Sequence, residues 1–352
     1  MSSKNLLKRR LRATINHEDF RKKLSIFAFV FIGWCGIWAI GFTDFLFEVD
    51  FKKFEWPPFV DVREQVVREM LAELPSYLFH NNWLDYQTIM EPTCAFNRLT
   101  RRKSLLIIVK SAPHRLQNRD AIRATWGKFK QLGNFRIRTI FVMGKMRARE
   151  SETYGNVLEA EHKQFSDLLI GDFIDGYRNN TFKLMHALKF AQNYCSTGPV
   201  SYVFLVDDDY MVSMKNLIGE VEKHPPNERL YMGWRFDTSP FRLVFSKHRV
   251  SLNDYQFSQY PPYISAGAVL LTSQSVREFY LAIQHLKVYP FDDVYAGIIA
   301  YKLGILPQHN ENFRFWSDNP ETDVFDHVAA AHGYSPKDLL QHNNRVNNYS
   351  IN

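Results

Sequence analysis

Tyr202–Tyr210 reads YVFLVDDDY. A continuous apolar run, rather than an alternating one, is what a strand needs when helices cover both faces of its sheet. Three carboxylates follow at once. They would lie at the C-terminal edge of that strand, where open α/β folds bind ligands. Side chains alternate along an extended chain, so Asp207 and Asp209 are expected to point one way and Asp208 the other. Two converging oxygen ligands suit a hard divalent cation, Mn²⁺ or Mg²⁺, that keeps its other positions for water and phosphate. The plain alternative is a solvated acidic turn; the buried strand in front of it favours the metal site.

Outward from this strand, short apolar runs alternate with helical stretches. Leu105–Val109, Thr139–Met143 (closed by Gly144) and Leu168–Ile170 read as strands, and Gln117–Trp126, Thr181–Tyr194 and Met214–Lys223 as helices. The order predicts a nucleotide-binding α/β domain over residues 103–352 with a mostly parallel sheet. A second acidic pair, Asp292-Asp293, precedes the apolar stretch Val294–Ala300. Asp at a helix start is a common N-cap, and beside a metal–diphosphate site it is also a candidate general base; the residues alone leave both readings open. P-loop, dinucleotide-fingerprint, H-E-x-x-H and G-x-S-x-G motifs are absent from the chain, as are cysteines at zinc spacing.

The net charge of +7 invites a nucleic-acid reading. Residues 1–23, however, carry eight basic side chains against Glu18 and Asp19, so six of the seven net charges lie on that tail. A nucleic-acid binder carries its positive charge on the folded domain. Leu24–Thr43 follows without a single charged residue, and as a helix it would be about 30 Å long, the thickness of a bilayer core. Basic before it and acidic after it (Asp44, Glu48, Asp50) predicts a signal-anchor with residues 1–23 cytosolic and everything after it lumenal. Residues 44–102 read as a stem: Trp56-Pro57-Pro58 breaks structure, and Val62, Val66, Met70 and Leu74 space a short amphipathic helix ended by Pro75. Cys94 and Cys195 are the two cysteines beyond the span, and Asn179 and Asn348 begin N-x-S/T sequons.

Several motifs then fall in one order: Arg119-x-x-Ile122-Arg123-x-Thr125-Trp126-Gly127; Phe141-Val142-Met143-Gly144; Asp175-x-Tyr177-x-Asn179-Asn180-Thr181-x-Lys183; Val206-Asp207-Asp208-Asp209; Tyr260-Pro261-Pro262-Tyr263-x-x-x-Gly267; and Asp292-Asp293-Val294-Tyr295-x-Gly297. Over residues 104–342 the chain resembles the β1,3-glycosyltransferases of family 31, and from Thr238 to Phe315 the brainiac-like glycolipid enzymes among them. The resemblance implies a GT-A (Rossmann-like) fold, a UDP-sugar donor, Mn²⁺ (or Mg²⁺), an inverting mechanism and a Golgi membrane location. It assigns Asp207, Asp209 and His332 to the metal, Asp293 to catalysis as the base, and Arg119, Arg123, Trp126 and Asp208 to the donor side. Tyr263, Gly267 and Asp292 fall to the sugar and acceptor loop. Asp292 stands where many members have Glu, and the tail after His332 lacks the Trp and Cys of many relatives. Trp234, Trp316 and Tyr260 are candidates to stack on sugar rings.

The expected reaction is transfer of N-acetylglucosamine to the 3-hydroxyl of a mannose-ending glycosphingolipid, with galactose or N-acetylgalactosamine, and glycoprotein acceptors, as alternatives. Rivals of other classes are an inactive lumenal glycan-binding protein, which would not need Asp207, Asp209 and Asp293 together, and a two-carboxylate glycosidase, which would not need a D-x-D motif.

Overall fold

The computed structural model describes residues 3–71, 87–93, 102–194, 200–319 and 321–347. Leu74, Pro75, Cys94, Cys195 and Asn348 lie outside the described residues. The chain forms two compact units, residues 1–54 with 238–260 and residues 55–237 with 261–352.

In the first unit, helix α1 (Ser3–Ala39) contains the apolar stretch Asp19–Ala39, 21 residues of mean hydropathy 1.4, long and apolar enough to cross a membrane. The sequence suggested a span running to Thr43, but the helix stops at Ala39. Gly41 has φ 76°, a left-handed conformation that ends a helix and suits glycine. A short helix α2 (Phe42–Leu46) follows. The segment 238–260 folds onto this region: Val49 bridges Phe257, and Phe54, Tyr255, Phe257 and Tyr260 form an aromatic cluster.

The second unit opens with α3 (Val62–Leu71), whose Val62, Gln65 and Val66 are buried. Its partners are the helices α8 and α9 described below, and Trp56 Nε1 donates to Lys287 O at 2.7 Å. Residues 55–71, expected as part of a stem whose helix packs as a spacer on the domain surface, lie in the second unit with α3 against α8 and α9. The apolar side of α3 and the large Trp56 side chain find a protein surface there.

The remaining elements, in chain order, are β1 (Thr88–Met90), β2 (Lys103–Lys110), α4 (Leu116–Ala124), β3 (Gln131–Leu132), β4 (Phe135–Lys145), α5 (Ala148–Phe165), β5 (Leu168–Ile174), α6 (Asn180–Gln192), β6 (Tyr202–Asp207), β7 (Tyr210–Val212) and α7 (Met214–Glu222). After these come β8 (Tyr231–Phe236), β9 (Tyr263–Thr272), α8 (Ser273–Ala282), α9 (Asp292–Leu303), β10 (Gln308–His309), β11 (Phe313–Arg314), β12 (Ala330–His332) and α10 (Pro336–Asn347).

The main sheet has the order β1-β5-β4-β2-β6-β9-β8-β10, with β3 paired to β4. Strands β5, β4, β2 and β6 are parallel to one another, as expected. Beyond β6 the sheet turns antiparallel through β9 and β8, so it is mixed rather than mostly parallel. The apolar run in β9 cannot report its direction, because burial on both faces selects the same residues either way. In β2, Leu105, Ile107 and Val109 join one core, while Leu106 and Ile108, equally buried, face the other side. A second small sheet has the order β11-β12-β7.

Two glycines permit close approaches near the site. A Cβ on Gly297 of α9 would meet Tyr263 Cβ at 2.5 Å, and one on Gly267 of β9 would collide with the buried Tyr210 hydroxyl.

Candidate active site

Two strand registers assemble the site. In the β2–β6 pair, Val109 faces Val206 and Lys110 faces Asp207, each the last residue of its strand. Lys110 Nζ thus lies 3.0 Å from Asp207 Oδ1, and it also donates to Asp292 Oδ2 at 2.8 Å. The Lys110 side chain is almost wholly buried; burial opposes its charge, but the two carboxylates outweigh that and hold its pKa above the ordinary lysine value. In the β12–β7 pair, His332 faces Tyr210, and the amides of Gly333 and Tyr334 both donate to Asp209 O at 2.9 Å. This brings His332 Nε2 to 3.4 Å from Asp209 Oδ2.

Strand β6 ends at Asp207, and Asp208 and Asp209 form a turn, so the three carboxylates do not simply alternate. Asp208 is buried; its Oδ2 accepts from Ser111 Oγ at 2.7 Å and its Oδ1 lies 3.0 Å from Arg115. Burial pushes this carboxyl up to about 6, against the pull of Arg115. Burial works the same way on Asp209, but the His332 contact overcomes it and lowers that pKa, while the same contact raises the pKa of His332. Asp209 Oδ1 is buried without a hydrogen-bond partner. A lone pair of this kind, beside an imidazole and a second aspartate, fits a divalent cation. Among the described residues no three such side chains are gathered as a cage.

A cavity of ≈ 740 Å³ opens over this turn. Asp207, Asp208 and Asp209 line it together with Lys110, Ser111, His114, Arg115, Arg147, Asp175, Tyr177 and Lys183. Lys183 Nζ donates to Ser111 O at 2.7 Å and lies 3.0 Å from Asp175 Oδ1, tying α6 to the loop after β2. Its volume falls within the range of small-molecule sites, and its mixed charge is of the kind that holds a nucleotide diphosphate with a cation.

Asp292 and Asp293 occupy the first turn of α9, whose N-cap position is held by Phe291, so neither carboxylate is the N-cap. They line a small cavity of ≈ 20 Å³ that adjoins Lys110, Tyr231 and Ile264. Lys110 lines both cavities and joins the two acidic motifs. Asp292 is ion-paired to Lys110, whereas Asp293 Oδ1 accepts the Val294 amide at 2.8 Å. Burial first, and repulsion from Asp292 second, push the Asp293 carboxyl up to about 7.

The other expected site residues lie elsewhere. Arg119 is fully buried and bidentate to Glu161 (2.7 Å to each oxygen), with further bonds to Ala112 O and Pro113 O. Arg123 binds Asp167 and Glu161, and Trp126 is buried with its Nε1 donating to Tyr210 O at 3.0 Å. All three line neither cavity; they brace the loop and turn that do. Tyr263 and Gly267 support Gly297 and Tyr210 from within β9. Asn179 Nδ2 donates to Ile174 O at 2.8 Å, and its sequon partner Thr181 is buried with its hydroxyl bonded to Tyr289 O. Trp234 and Trp316 meet edge to face, 4.7 Å apart, in a partly exposed cluster with Phe315, while Tyr260 packs against Tyr255 in the first unit. Sequence reasoning missed Lys110, Ser111 and Arg115. The one signal for Lys110 was a charged residue ending an apolar strand.

Comparison with known proteins agrees with this geometry. Residues 117–311 match the Galactosyltransferase family. The chain is 35% identical to Beta-1,3-galactosyltransferase bre-5 of Caenorhabditis elegans, over 95% of this chain and 96% of the relative. It is 36% identical to Beta-1,3-galactosyltransferase brn of Drosophila melanogaster, over 67% of this chain and 72% of that protein. It is 30% identical to UDP-GalNAc:beta-1,3-N-acetylgalactosaminyltransferase 1 of Mus musculus, over the same shares of the two chains. With a mixed α/β sheet and these relatives, the chain is a glycosyltransferase and belongs to the galactosyltransferase family.

Proposed function

We propose that this chain is an inverting, metal-dependent β1,3-glycosyltransferase, anchored in the Golgi membrane with its catalytic unit lumenal, that transfers N-acetylglucosamine from a UDP-sugar to a mannose-ending glycosphingolipid. The observation that carries the reaction class is the Lys110 bridge between Asp207 and Asp292, which sets the donor turn and the acidic pair side by side. Asp207, Asp209 and His332 are the residues to hold the cation. Bound there, it supplies Lewis-acid stabilisation of the departing UDP diphosphate.

The protein's own groups do the rest. Asp293, held near neutrality by burial and by Asp292, takes the proton of the acceptor hydroxyl as that oxygen attacks the anomeric carbon from the face opposite UDP. The new glycosidic bond forms as the bond to UDP breaks, and a single displacement inverts the carbon. Lys110 pairs with both Asp207 and Asp292 and holds the two acidic motifs together. Arg115, beside Asp208, adds positive charge at the wall of the donor cavity. Trp234, Phe315 and Trp316, partly exposed, offer ring faces for an acceptor sugar.

The relatives named above carry galactose and N-acetylgalactosamine in their names, so the donor has to be tested directly. Full-chain protein is incubated with mannosyl-glucosyl lipid or with galactose-ending acceptors, each with UDP-N-acetylglucosamine, UDP-galactose or UDP-N-acetylgalactosamine, and the product linkage is mapped. A β1,3-linked N-acetylglucosamine on the mannosyl lipid is expected. Transfer of another sugar, or to galactose-ending acceptors alone, replaces the donor or acceptor assignment; full activity in excess EDTA removes the metal.

A further inference from the structure

The segment 241–250 forms no part of either cavity described above, yet it presents an unusual surface. Its residues alternate: Phe241, Leu243 and Phe245 are exposed by 58%, 46% and 83%, while Arg242 between them is buried. Leu243–Ser246 is a turn, closed by the Ser246 amide donating to Leu243 O at 3.0 Å, and it carries Phe245 outward at its tip. The held side is well built. Arg242 Nε donates to Glu48 at 2.8 Å, and its terminal nitrogens donate to Val250 O and Phe257 O at 3.0 and 3.2 Å. The outward side is three large apolar residues and the exposed Lys247; His248 packs against the Phe241 ring and Arg249 lies 4.0 Å from Asp44.

What covers that side follows from where the segment is pinned. Val244 N donates to Ala39 O, the last residue of α1, at 3.1 Å. Gly41, two residues further on, runs so close to Arg242 that a Cβ there would fall 2.6 Å from the Arg242 carbonyl oxygen. Phe241, Leu243 and Phe245 therefore stand at the level where the apolar helix ends. If Asp19–Ala39 crosses a membrane, that level is the boundary between acyl chains and headgroups. Exposed aromatic and aliphatic side chains next to basic ones are the composition of an interfacial membrane contact, the rings sinking into the boundary and the cations reaching phosphates.

We propose that Phe241, Leu243 and Phe245 form a second membrane contact, inserting into the leaflet at the C-terminal end of the span. The proposal rests on the membrane-anchor reading of Asp19–Ala39, and the experiment separates the two. The photocrosslinking residue p-benzoylphenylalanine is placed singly at Phe29 in the span, at Phe245, or at the exposed Leu306 of the second unit. Each full-length protein is reconstituted in radiolabelled phosphatidylcholine vesicles and illuminated, with glycosyl transfer as the check of folding. Lipid adducts at position 245 are expected to exceed those at 306 by at least about fivefold and to approach those at 29. Adducts at 29 with none above the 306 level at 245 overturn the second contact and leave the anchor standing. Adducts at neither 29 nor 245 overturn both. Covalent dimers at 245 in place of lipid adducts overturn it in favour of a second copy of the chain.

Discussion

Lys110 Nζ donates to Asp292 Oδ2 at 2.8 Å across 182 residues of sequence. Because the same ammonium lies 3.0 Å from Asp207 Oδ1, it is the electrostatic centre of the site rather than a buried accident of β2. Its environment has two consequences, one for stability and one for the base.

Lys110→Met keeps the length of the stem and removes the charge. It leaves Asp292 buried without its cation and Asp207 partly so; Asp207 is 38% exposed, so solvent offsets part of the loss. The expected destabilisation is on the order of 2–3 kcal/mol, read as a lower midpoint in urea denaturation. Lys110 also favours ionised Asp293, so the acid limb of the rate profile should move to higher pH in this variant. A lower midpoint with no movement of that limb would restrict Lys110 to a structural role.

Asp293, proposed as the base, is expected to set the pH dependence of turnover. Its carboxyl is pushed up to about 7, and a base works only when deprotonated, so turnover should rise with pH through about 7 and fall away below it. An ordinary exposed aspartate would put that limb near pH 4. Asp293→Asn should retain UDP binding and lose about a hundredfold to ten-thousandfold in kcat. If Asp292→Asn proves the more damaging to kcat and abolishes the limb, the roles of the pair are exchanged.

Asp209 and His332 are expected to act together. Asp209→Ala and His332→Ala should each weaken Mn²⁺-dependent UDP binding, measured calorimetrically, by about tenfold or more. The double variant should cost less than the product of the singles, since the residues meet at 3.4 Å. Independent effects would mean that the two side chains contribute separately and that His332 does not act through Asp209.

Arg119 lies behind the donor cavity and not in it. Arg119→Lys loses the fork on buried Glu161 and should lower stability by about 3 kcal/mol. Its effect on donor KM should be smaller than that of Arg115→Ala, because Arg115 lines the cavity and Arg119 does not. A large KM change in Arg119→Lys without loss of stability would restore a direct donor role.

The sequence by itself determined the two central strands. Burial on both faces leaves continuous apolar runs such as Leu105–Val109 and Tyr202–Val206, and both were placed to within two residues of their ends. It also named the carboxylates, because Asp207–Asp209 and Asp292-Asp293 stand at abrupt changes from apolar to acidic or the reverse. Pairing was a different matter. That β9 runs antiparallel to β6, that Lys110 falls opposite Asp207, and that β12 delivers His332 to Asp209 are consequences of register between distant segments. Local composition carries no record of register, since the same apolar residues satisfy either direction and any in-phase shift. The motif arginines show the same limit: a charged residue in a motif reads as a ligand contact until the fold supplies Glu161, a buried counter-charge 42 residues away in sequence from Arg119. Only the tertiary structure decides which charges face the cavity and which hold its walls, because that depends on where desolvated groups find partners.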